Sequence, residues 1–71
     1  MSAKIAESRI RHIRRKAGLS LTAAAALAKR SPTTWKIFEM GGESAVSEEA
    51  GADCMGAVRE MLAMIEREHA A

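Results

Sequence analysis

Residues 20–42, SLTAAAALAKRSPTTWKIFEMGG, crowd two helix starts and two helix stops into one short stretch. Ser20 and Ser31 each stand before a helical run, where a serine oxygen accepts a hydrogen bond from a free backbone N–H of the first turn. Pro32 then occupies the first helical position, where its missing N–H costs nothing, and Gly41-Gly42 supplies a stop. Only Lys29 and Arg30 are left to join the two runs. The spacing predicts short helices over 21–28 and 32–40 linked by a tight basic turn, a helix-turn-helix. The run TAAAALA is nearly pure helix former, and its small side chains let another helix approach closely, as a sharp bend requires. On the second helix Trp35 and Phe38 sit three apart and face inward. Thr33, Lys36, Ile37 and Met40 share the opposite side.

The flanking segments read as support. A first helix is expected over 3–16, capped by Ser2, with Ala6, Ile10, Ile13 and Ala17 as its buried stripe. Arg9, Arg11, Arg15 and Lys16 lie off that stripe, and Ala17-Gly18 ends the helix. Residues 43–52 read as a polar connection with a short helical turn from Ser47. Asp53 is expected to cap a last helix reaching about Glu68. Met55, Val58, Leu62 and Ile65 recur there in steps of three and four, with Ala57, Met61 and Met64 alongside. That stripe is wider than one small core needs, so Met55, Val58, Met61, Leu62 and Ile65 are expected to serve partly as a dimer interface.

The expected architecture is all-α: one domain over 1–71, with a compact helix-turn-helix core in 1–42 and a dimerisation helix in 53–69. Seventy-one residues give a core that is marginal without a partner. The chain has no Tyr and one each of Trp and Phe, a composition that suits helices better than strands.

Charge is unevenly shared. Residues 1–41 carry nine Lys or Arg against two acids, a net +7, whereas residues 42–71 carry two against seven, a net −5. A basic half favours a polyanion and an acidic half is kept from it. The longest apolar run, residues 23–28, is far too short to cross a bilayer. The N-terminus lacks the apolar stretch of a secretion signal, and the single Cys54 fits a reducing compartment, so a cytoplasmic location is expected. Enzyme chemistry finds no foothold. His12 and His69 lie at opposite ends, Cys54 has no partner base, and Glu48-Glu49 reads as a solvated helix-start pair. Gly41-Gly42 follows a helix instead of preceding one with Lys-Ser/Thr, so it is no phosphate loop. No catalytic residue, metal or cofactor is expected.

The segment IRRKAGLSLTAAAALAKRSPTTWKIFEMG, residues 13–41, resembles the Cro and phage-repressor (XRE) class of helix-turn-helix regulators, which have a lambda repressor-like fold. Ile13-Arg14, Gly18-Leu19-Ser20, Ala25, Ser31, Thr34 and Glu39-Met40-Gly41 occupy the places of that pattern without an insertion. Trp35 and Phe38 fall where the class buries two apolar residues. Within the class, SPTTW…E.G is similar to small mobile-element autorepressors, the anti-CRISPR-associated regulators among them. The resemblance implies that Arg14 and Glu39 form a structural ion pair between the first and third helices. It also implies that Thr33, Lys36 and Ile37 face the DNA groove, with Lys36 donating to guanine or phosphate and Ile37 meeting thymine methyls. Pro32 sits at another contact position but offers only ring atoms. Leu21 departs from the polar, phosphate-contacting residue common there. Phosphate contacts are therefore expected from Ser20, Thr22, Lys29, Arg30, Ser31, Thr34 and Arg11.

Charge, helix pattern and resemblance together raise the expectation of sequence-specific binding to double-stranded DNA by a homodimer, with no membrane and no metal among its partners. The protein would act at an inverted-repeat operator and repress by occluding a promoter, its own included. The alternative is an antitoxin-like or adaptor module whose acidic, Met-rich last helix binds a different protein, methionine being adaptable at such surfaces.

Overall fold

A computed structural model describes residues 8–70. The chain forms a small bundle of α-helices with no strand among these residues. The helices are α1 (Arg9–Lys16), α2 (Leu21–Ala28), α3 (Pro32–Gly41) and α4 (Glu48–Ala70), with a 3₁₀ turn at Glu43–Ala45 before the last.

Local chemistry sets most boundaries. The hydroxyls of Ser8, Ser20 and Ser31 accept hydrogen bonds from the backbone N–H groups of Arg11, Ala23 and Thr34 at 3.0–3.1 Å, so α1, α2 and α3 each begin on a serine cap. α2 and α3 start where the caps predict. α1 starts at Arg9 behind Ser8, whereas the sequence suggests a longer helix. The expected Ser2 cap, the stretch 3–7 and Ala6 of the stripe lie outside the described residues. α2 ends on Lys29, a non-glycine residue in the left-handed region at φ 59°. Its N–H donates to the Ala26 carbonyl and that of Arg30 to the Ala25 carbonyl, at 3.0 and 2.9 Å, which satisfies two carbonyls at the helix end.

The start of α4 corrects the sequence expectation. The helix begins at Glu48, not after Asp53. Ser47 is the cap: its Oγ accepts from the Ala50 N–H at 3.1 Å and its carbonyl from the Gly51 N–H at 2.8 Å. Glu48 and Glu49 fall in the first turn, where the helix dipole favours negative charge. The stretch 50–52 resembles a loop because it is small and contains glycine, but the 3₁₀ turn packs directly on it. A Cβ at Gly51 would stand 3.4 Å from the Glu43 carbonyl oxygen. At Gly41 the approach is closer still, 2.7 Å from the Ala45 Cβ. Gly41 thus extends α3 one residue past Met40, and Gly42, at φ 85°, makes the stop.

The core lies where α2, α3 and α4 converge. Ala24, Ala25 and Ala28 of α2, Trp35 and Phe38 of α3, and Cys54, Ala57, Val58 and Met61 of α4 are buried together. The Trp35 and Phe38 rings are 5.2 Å apart and tilted by 51°, within the favoured range for aromatic pairs. The alanines of α2 leave room for these rings. Ile10, Ile13 and Ala17 of α1 pack on the cluster from the side, half-buried.

Candidate nucleic-acid interface

α3 has one face built into the protein and one turned out. The inner face is fixed by more than rings. Arg14 is 8% exposed and Glu39 6%, and the Arg14 Nε donates to Glu39 Oε2 at 2.6 Å while its Nη2 donates to Oε1 at 3.3 Å. Arg14 Nη1 also donates to the Leu19 carbonyl at 2.9 Å. The Trp35 indole N–H donates to Glu39 Oε2 at 2.9 Å. The Arg14–Glu39 pair thus joins α1, the α1–α2 connection and the buried indole. No buried side-chain polar atom among the described residues lacks a partner, so the network meets the condition under which a buried pair is tolerated. The Arg14–Glu39 pair forms as expected. The indole donor was missed, although Trp35 and Glu39 are four apart on a helix and therefore neighbours.

The outer face carries Thr33, Lys36, Ile37 and Met40, all exposed, with Ile37 at 45% and Met40 at 77%. At 100° per residue these four fall within an arc of about 100°. Pro32 is exposed at the first position of the helix. Ser31 is committed to its own helix: besides capping, its hydroxyl donates to Thr34 Oγ1 at 3.1 Å, so Ser31 and Thr34 offer hydroxyls already bonded to one another. Ser20 and Thr22 are exposed at the start of α2, Lys29 is exposed at its end, and Arg11 is exposed on α1.

Arg30 is already engaged within the protein. The expectation places it on phosphate, but its Nε and Nη2 donate to Asp53 Oδ2 at 3.1 and 2.7 Å. Asp53, expected to cap α4, lies one turn inside that helix and ties it to the α2–α3 turn. The expected interface on α4 also divides. Val58 and Met61, at 4% and 0% exposure, belong to the core and are withdrawn from any interface. Met55 and Ile65 are half-buried, and Leu62 is 47% exposed. Leu21, which stands where a polar contact residue is common, is half-buried against the core.

The remaining reactive groups lie apart. Burial pushes the Cys54 thiol up; nearby Arg30 pulls it down and Asp53 adds to the rise, which keeps it a neutral core group. His12 and His69 are exposed. No set of three His, Cys, Asp or Glu side chains among the described residues is placed to hold a metal ion, and no helix among them is long and apolar enough to cross a membrane. Comparison with protein-family models, curated proteins and solved structures found no match to this chain.

Proposed function

We propose that the protein is a sequence-specific regulator that binds double-stranded DNA as a homodimer, with α3 in the major groove. The observation that carries this is the contrast between the two faces of α3. A helix locked from behind by two fully buried rings and a buried ion pair holds Thr33, Lys36, Ile37 and Met40 out to solvent. Apolar side chains so placed beside a cation and a hydroxyl suit the edges of base pairs, which offer acceptors and thymine methyls in the groove. Lys36 donates to guanine or to phosphate, Thr33 bonds to bases or phosphates, and Ile37 covers a methyl group. The exposed start of α2, with Ser20 and Thr22, and the cations Lys29 and Arg11 suit the phosphate backbone. Arg30 is assigned to the scaffold. A two-fold dimer reads inverted half-sites about 34–36 Å apart, and occupation of a promoter, the protein's own included, represses it.

The test is duplex selection from a random pool, with titration of the selected site across salt concentrations. Binding should weaken steeply as salt rises, since each phosphate contact contributes a slope of about −0.9. Lys36→Ala should weaken the selected site by about 1–3 kcal/mol, with a smaller loss on random DNA. A chain that enriches no sequence and binds no duplex at low salt overturns the proposal.

A further inference from the structure

α4 carries a second outward stripe that the DNA-binding surface leaves unused. Met55, Arg59, Leu62 and Glu66 alternate in steps of four and three and fall within an arc of about 60°. Leu62 is 47% exposed, Arg59 and Glu66 are exposed, and Met55 is half-buried. Arg59 and Glu66 make no ion pair with any of the described residues.

We infer that this stripe pairs with the same stripe of a second copy, antiparallel, with the two-fold axis beside Leu62. Charge complementarity argues for a copy of this chain as the occupant. Arg59 lies three residues before Leu62 and Glu66 four after, so an antiparallel helix brings Arg59 within about 1.5 Å, along the axis, of the partner's Glu66. The two-fold repeats the contact, giving two opposite-charge pairs flanking a Leu62–Leu62 centre, the self-complementary pattern of an isologous interface. A parallel pairing would instead set arginine against arginine and glutamate against glutamate, which is costly. The inference rests on the dimeric part of the function proposed above and supplies its interface. A single helix pair buries less than the roughly 1,200–2,000 Å² of stable interfaces, so the dimer is weak and is measured at high protein concentration.

The experiment is sedimentation velocity of the full chain without DNA, over a concentration series reaching hundreds of micromolar. The wild type should dimerise. Arg59→Glu and Glu66→Arg should each weaken the dimer by about tenfold or more, because each sets like charges together twice. An equimolar mixture of the two variants should recover the dimer, since each reversed position then meets an opposite charge. Both sites are exposed, and far-UV circular dichroism checks that the variants keep the fold. A wild type that stays monomeric, single reversals with wild-type self-affinity, or a mixture that fails to recover would each overturn the inference. Lys36→Ala should leave sedimentation unchanged, so failure of duplex binding and failure of this interface register in separate measurements.

Discussion

The Glu39 carboxylate links α1 to the inner face of α3. It accepts from both Arg14 and the Trp35 indole while nearly buried. Removing one member leaves a charge or donor stranded, and such losses from buried pairs cost about 3–5 kcal/mol. Glu39→Ala and Arg14→Ala are each expected to lower stability by that order in urea denaturation. The double variant should lose less than the sum, because the stranded charge then disappears. Lys29 makes the opposite prediction. Its left-handed backbone costs a residue with a Cβ about 1–2 kcal/mol. Lys29→Gly should therefore raise stability in the same assay by about 1 kcal/mol, despite glycine's greater freedom when unfolded.

Among the elements, α2 and α3 were the most legible in the sequence and α4 the least. Ser20, Ser31, Pro32 and Gly42 are local signals whose effect reaches only a turn away, so they locate helix ends without knowledge of the fold. The start of α4 depends on contact between elements. Its small residues at 50–52 resemble a loop until the 3₁₀ turn is packed on them, and Asp53 resembles a cap until Arg30 is beside it. For the same reason Val58 and Met61 could not be separated from Leu62 by periodicity: all lie on one broad apolar arc, and only the placement of α2 and α3 decides which are covered. The candidate groove face was legible because two large rings leave α3 one way to sit. The 3₁₀ turn yields its own test. Gly41→Ala should destabilise by about 1–3 kcal/mol through overpacking against Ala45. With Ala45→Gly in the background the same change should become neutral or stabilising, by up to about 1 kcal/mol, as helix propensity takes over. Thermal denaturation of the four proteins measures both signs.

At the scale of the whole molecule, the basic and acidic halves touch through an exposed bridge among the described residues, Arg30 to Asp53. Exposed pairs contribute only about 0–1 kcal/mol to stability, but this one also occupies a cation beside the proposed DNA surface. Asp53→Asn should therefore leave the melting temperature nearly unchanged. On the DNA-binding proposal it should tighten duplex binding and steepen the salt slope by about 0.9, as Arg30 becomes available to phosphate. An unchanged slope would place Arg30 out of reach of the backbone. The packing of α3 has one more consequence. The chain holds a single tryptophan, entirely shielded and next in sequence to Lys36, yet turned to the opposite side. Its emission is a natural fluorescent gauge of whether α3 is still seated: blue-shifted while the helix is anchored, red-shifted once the anchor lets go, and blind to whatever the outer side holds.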